Sequence, residues 1–154
     1  MISFKFQNGD FSLDSHGGLQ RVTGVDSLKQ SIGKVLMTDK ENILNEGEIP
    51  FRYNPDYGTN LNYIKQLSPI FTIDDAKKAV QEEVRSVLLD FAKTQTTKLK
   101  YGLTQDEIMA DATITVTAAM AQSDGPKRIL INFEVAVVSA SGKTTNLEIA
   151  TSGG

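Results

Sequence analysis

Cysteine is absent from the 154 residues, which removes disulfides, thiolate nucleophiles and every cysteine-based zinc or iron–sulfur site. There is a single histidine, His16. It stands beside Gly17 and Gly18 in a turn signal with no cluster of acids around it, so it reads as an exposed turn residue rather than a metal ligand or general base. No G-x-S-x-G elbow, Walker-type phosphate loop or G-x-G-x-x-G fingerprint occurs. Nothing approaches the roughly 20 apolar residues that cross a bilayer. Met1 to Phe11 alternates polar and apolar residues, unlike the continuous apolar stretch of a secretory signal. Positive charge does not gather into a stripe and the net charge is −3, so a phosphate backbone meets no counterpart. Membranes and nucleic acids drop out as expected partners, as do cofactors, and proteins remain.

What is present fits one domain. A chain of this length buries roughly 70% of its unfolded surface, and 40% apolar with 23% charged residues is the composition of a globular core rather than of a disordered segment. The domain is expected over 1–150, with 151–154 a small, polar, flexible tail.

Periodicity divides the chain into three parts. Ile2, Phe4 and Phe6 alternate with polar neighbours, Asn8-Gly9 is a two-residue hairpin signal, and His16-Gly17-Gly18 is a second turn. Val25, Leu28, Ile32, Val35 and Leu36 then recur at helical spacing, with Asp26 or Ser27 as the expected cap. A second long helix is expected from Thr72, where Asp75 three residues on gives a variant capping box. Its apolar stripe is Ile73, Ala76, Val80, Val84, Val87, Leu88 and Phe91. Lys93 to Lys100 carries little periodicity, and Thr104 with Glu107 suggests another capping box over a short turn. The last third alternates strictly: Ile114, Val116, Ala118 and Met120, a turn at Asp124-Gly125, then Ile129 to Val137, a turn at Ser141-Gly142, then Thr144 to Ala150. The predicted fold class is α+β: a short N-terminal β-hairpin, and two main helices packed on a C-terminal antiparallel meander of three strands.

Between the helices lies "GEIPFRYNPDYGTNL", residues 47–61. Pro50 and Pro55 fix φ and remove two backbone donors, so neither a helix nor a central strand runs through them. Gly58 frees the backbone, and Asn60 to Ile64 reads as a short helix after it. Among chemical alternatives, a glycosidase would need two carboxylates across a cleft. Glu46, Glu48 and Asp56 are the available acids, but none lies in an apolar segment able to desolvate it. Asp106, Glu107 and Asp111 would be a carboxylate-only metal set, which is also what the acid-rich start of a helical turn looks like.

The order of these pieces resembles the small inner baseplate wedge proteins of contractile phage tails, a family often labelled lysozyme-like and related to a baseplate component of type VI secretion systems. The pieces that carry the resemblance are "GGLQRVTGVDSLKQSIGKVLMT", "EGEIPFRYNPDYGTNL", "LSPIFTIDDAKKAVQEEVRSVL" and "ATITVTAAM…ILINFEVAVV", which together cover nearly the whole chain. The most specific is a P-[DE]-[YF]-G-x-[DN]-L pattern, met by Pro55, Asp56, Tyr57, Gly58, Asn60 and Leu61. The resemblance implies a structural protein rather than an enzyme, with no cofactor. It would stand in several copies in a ring, in contact with other wedge proteins, the tail sheath and the tail tube, in virions assembled in the host cytoplasm. Many members carry a Glu-Pro-Arg motif before the meander. Here Glu107 matches the acid, while Ile108 and Met109 replace proline and arginine, and Lys93 to Leu103 is a longer insert than the family pattern. A peptidoglycan hydrolase and a cytosolic protein-interaction adaptor are the alternative functions.

The expected interface residues are Phe51, Tyr53, Pro55, Tyr57 and Gly58 in the stiff loop, where proline lowers the entropy lost on docking and aromatics anchor contacts. Glu107 joins them, as do Thr144 and Leu147 on the last strand. That strand offers Glu148 as its one charge and no proline, so its edge is open to an added strand unless the N-terminal hairpin covers it.

Overall fold

The computed structural model describes residues 3–7, 10–40, 57–66, 72–97, 102–120 and 129–151. The turn at Asp124-Gly125 and the end of the tail lie outside them. Four two-residue strands open the chain: β1 (Ser3–Phe4), β2 (Phe6–Gln7), β3 (Asp10–Phe11) and β4 (Arg21–Val22). β2 pairs antiparallel with β3, Phe6 opposite Phe11 and Gln7 opposite Asp10, which leaves only positions 8 and 9 between them, as the Asn8-Gly9 signal predicts. β1 pairs with β4. At the second turn Asp14 Oδ1 accepts hydrogen bonds from the N–H groups of His16 and Gly18, both at 2.9 Å, the local side-chain-to-backbone bonding that makes aspartate a turn residue.

Helix α1 (Gly24–Leu36) buries Leu28, Ile32, Val35 and Leu36. It begins earlier than its expected cap. Thr23 occupies the N-cap position without a side-chain cap bond, and Asp26 lies in the first turn, where it favours the helix through the macrodipole instead. The short helix α2 (Leu61–Gln66) follows the proline loop. Helix α3 (Ile73–Thr97) buries Ala76, Val80, Val84, Val87 and Leu88, and Thr72 Oγ1 accepts the Asp75 N–H at 3.2 Å, the forward half of the predicted box.

Two sequence expectations need correction here. The threonine- and lysine-rich run does not end the helix, which continues to Thr97. Thr94 and Thr97 satisfy their hydroxyls on the carbonyls of Asp90 and Lys93, at 2.9 and 2.8 Å, without leaving the helix, so their usual competition with the backbone is spent inside it. Nor does the Thr104/Glu107 box form. Gln105–Glu107 is a 3₁₀ turn with no side-chain cap bond at Thr104, because the Glu107 side chain turns inward and is only 5% exposed.

The meander is β5 (Met109–Met120), β6 (Ile129–Ser139) and β7 (Thr144–Thr151), in the order β5-β6-β7. β5 starts several residues before its expected beginning, and its register slips between Met109 and Asp111. Phe133, Val135 and Val137 of β6 face Val116, Ile114 and Ala112 on one side and Ile149, Leu147 and Thr145 on the other. This row meets α1 and α3 in one core. Each large aliphatic side chain removed from water there stabilises the fold by about 1.5–3 kcal/mol. α3 lies over β5 and α1 over β7, so the opposite face of the sheet is left mainly to polar residues such as Thr115, Asn132, Glu134 and Glu148, with Leu130 exposed beside them.

Candidate interaction surfaces

The proline loop reaches the described residues only at its end. Phe51, Tyr53 and Pro55 lie outside them, as do Glu46, Glu48 and Asp56. Tyr57 is 38% exposed. Gly58 has φ +119°, and a Cβ there would stand 2.3 Å from the Thr38 carbonyl oxygen. The close approach has a cause: Thr59 donates its N–H to Thr38 O at 2.7 Å and accepts the Lys40 N–H at 3.0 Å, a parallel bridge between Asp39 and Thr59. Side chains complete the seam. Asn62 Nδ2 donates to both carboxylate oxygens of Asp39, at 2.9 and 2.7 Å. Glu83 of α3 accepts the Asn60 N–H at 2.7 Å and lies 3.9 Å from Lys40 Nζ. The loop therefore emerges from a rigid base tied to both long helices, with the Tyr57 ring area at its surface. Thr59, Asp39, Asn62 and Glu83 were not expected in this role; no local spacing signal marks them, since their partners are distant in the chain, 23 positions for Asn62 with Asp39 and for Glu83 with Asn60.

Glu107 is inside. Its backbone N–H donates to Thr104 O at 3.0 Å, and its carbonyl accepts from Gln95 Nε2 at 2.7 Å. Its side chain lines a small cavity with Ser27, Ser31 and Phe91. As an expected contact residue it is displaced: a partner docking on this form of the chain meets the neighbouring surface rather than this carboxylate.

Asp106, by contrast, makes the junction of three elements. It accepts from Ser141 Oγ and from Lys143 Nζ at 2.7 Å. Ser141 Oγ in turn lies 2.9 Å from Ser139 Oγ, which accepts the Lys143 N–H at 3.1 Å. A Cβ added to Gly24 would come within 3.5 Å of Asp106 Oδ2, so the carboxylate also sits at the first turn of α1, where negative charge is favoured. Asp111 accepts the Ala112 N–H at 2.8 Å, so Asp106, Glu107 and Asp111 are engaged separately, and among the described residues no group of three or more histidine or acidic side chains is arranged to hold a metal.

The Lys143 bond first, then the Ser141 bond, hold the Asp106 carboxyl below its ordinary value of 3.8. A carboxyl whose pKa is depressed by folding stabilises the native state above the unfolded pKa, and that contribution is lost as pH falls through the folded one. In urea titrations across pH, Asp106→Asn should flatten the fall in stability below about pH 4 relative to the parent. An unchanged acid limb would mean that the junction does not hold the carboxylate in solution.

Of the strand residues, Thr144 is exposed and Leu147 is half-buried beneath α1, with Leu147 Cδ2 only 3.3 Å from where a Gly33 Cβ would lie. Contact between Leu147 and a strand added at the outer edge of β7 must therefore run through its backbone. Among the described residues, no strand pairs with the outer edge of β7. The N-terminal strands pair with one another and not with it.

Comparison of the chain with family profiles, with curated proteins and with solved structures gives no match.

Proposed function

We propose that this chain is a structural, non-enzymatic subunit of a contractile-tail baseplate. It joins wedge proteins around the tail tube and offers the first sheath ring a platform, within virions assembled in the host cytoplasm. The order of the sequence pieces supports this, and one observation carries it furthest: the outer edge of β7, with which no described strand pairs. A strand of eight residues presents about 27 Å of ladder. Free monomers blunt such edges with charge, proline or bulges, whereas Thr144–Thr151 has only Glu148 and no proline. An incoming extended chain gains main-chain hydrogen bonds along it. The Tyr57 ring and the rigid base beneath it supply a second contact for a neighbouring wedge protein.

The test places proline separately at Asn146 and at Leu147. Adjacent residues of a strand point their N–H groups to opposite sides, so one variant removes a bond to β6 and the other an outward donor. The inward one removes a ladder donor and should lose about 1–3 kcal/mol of stability. The outward one should fold, enter baseplates and leave tail tubes bare of sheath. Full-length sheath on baseplates carrying the outward variant would exclude strand addition at this edge.

A further inference from the structure

Between the N-terminal strands and α1 runs a groove of about 830 Å³. Among the described residues, Lys5, Arg21, Lys29 and Lys34 line it against a single acid, Asp26, a local balance opposite in sign to the chain's net charge of −3. Among the described residues none of the four cations is ion-paired; the bridges Lys40–Glu83 and Lys143–Asp106 lie elsewhere. Between the cations the lining combines the apolar side chains of Phe6, Val22, Leu147 and Met37, the last 78% exposed, with polar ones such as Gln20 and Gln30.

The walls are held in place. Gln30 grips the N-terminal strand in the manner of a neighbouring peptide group, accepting the Phe6 N–H at 2.9 Å and donating to Phe4 O at 2.7 Å. Lys5 is fixed through its backbone to Gln20 O at 2.6 Å and to Ser12 N at 2.9 Å. Along α1 the groove takes one helical stripe, from Asp26 through Lys29 and Lys34 to Met37, a length of about 16 Å. About five residues of extended chain span that distance. A helix of the same length and about 10 Å across would occupy about 1,300 Å³, so it would stand partly out of the groove.

From this geometry we infer that the groove is a docking site for an extended, acidic segment of a partner protein, with its carboxylates on the lysine and arginine rims and its apolar side chains on Val22, Leu147 and Met37. Charge complementarity chooses the sign of the occupant. Phe6 is the one aromatic among the described lining residues, short of the succession of stacking platforms that single-stranded nucleic acid favours, so the floor of Val22, Leu147 and Met37 chooses a peptide. This site lies on the α1 side of β7 and does not depend on the baseplate reading or on strand addition.

The experiment is fluorescence anisotropy of the full chain with a labelled peptide of alternating glutamate and leucine. Saturable binding is expected, weakening as salt screens the pairs. The double variant Lys29→Glu/Lys34→Glu should bind roughly tenfold or more weakly. Both side chains are exposed, so the variant should keep the parent's circular dichroism, and Met37→Ser gives an independent loss from the apolar side. Glu134→Gln with Glu148→Gln, on the far face of the sheet, should change nothing. The inference is overturned by the absence of binding, by equal binding of the peptide with glutamine in place of glutamate, by equal binding to the lysine variant, or by equally tight binding of a single-stranded RNA oligonucleotide.

Discussion

Gly58→Ala will destabilise the protein by about 3 kcal/mol or more, combining backbone strain with displacement of a neighbouring segment. For a chain of this size that is a fall in Tm of roughly 6–12 °C. The two contributions separate because another glycine isolates the first. Gly142, in the β6–β7 turn, has φ +89° and nothing within 4 Å of an added Cβ, so Gly142→Ala should cost only the left-handed penalty of about 1–2 kcal/mol. At Gly58 the Cβ would also meet the Thr38 oxygen at 2.3 Å and its carbonyl carbon at 2.9 Å. Those atoms are backbone, already bonded to Thr59 N, and cannot swing aside as a side chain can. Relief requires opening the Asp39–Thr59 bridge, and with it the hydrogen bonds that seat Asn60 on Glu83. Urea midpoints at unchanged m-value measure the difference. If Gly58→Ala costs no more than Gly142→Ala, the loop base gives way easily and is not the rigid support described above.

The second large effect is expected at Gln95, which is 4% exposed near the end of α3. Its amide occupies the place of a missing strand: Nε2 donates to Glu107 O at 2.7 Å and Oε1 accepts the Met109 N–H at 2.8 Å. Gln95→Leu keeps most of the volume and removes both bonds. It leaves a carbonyl and an N–H without those partners at the entry to β5. At about 1–3 kcal/mol for each such group, the loss should be about 2–6 kcal/mol. Hydrogen exchange localises it. The Met109 amide should lose protection well before the centre of β6, because the fault lies at the seam between α3 and the sheet. A Met109 amide as protected as in the parent would show that the backbone finds another partner and that Gln95 is not what joins α3 to the meander.

Much of the fold was legible because burial on one face leaves a local periodic mark. Leu28, Ile32, Val35 and Leu36 repeat at helical spacing, and Ile129, Ile131, Phe133, Val135 and Val137 at strand spacing; all of them are buried. Turn chemistry was equally local, as Asp14 with Gly17 and Gly18 shows. Where the reading went astray, the deciding contact was distant. Thr94 to Thr97 has no apolar rhythm, yet α3 runs on because Gln95 finds a carbonyl and an N–H beyond the end of the helix. Glu107 has the spacing of a capping residue and turns inward instead, into a cavity lined from α1 and α3.

The candidate surfaces divide along the same line. Sequence alone determined that the last strand would alternate, carry one charge and no proline, and that a glycine was needed after the aromatic Tyr57. Only the tertiary structure decided that the N-terminal strands pair among themselves and that no described strand pairs with the outer edge of β7, that the Gly58 Cβ position is filled by the Thr38 carbonyl, and that Lys5, Arg21, Lys29 and Lys34 share one groove. The physical reason is range. Periodicity and turn propensity act over a few residues, through φ, ψ and the direction of each side chain. Which polar groups meet, and which edges and charges remain unmatched, is settled only when segments far apart in the chain are brought together around the core.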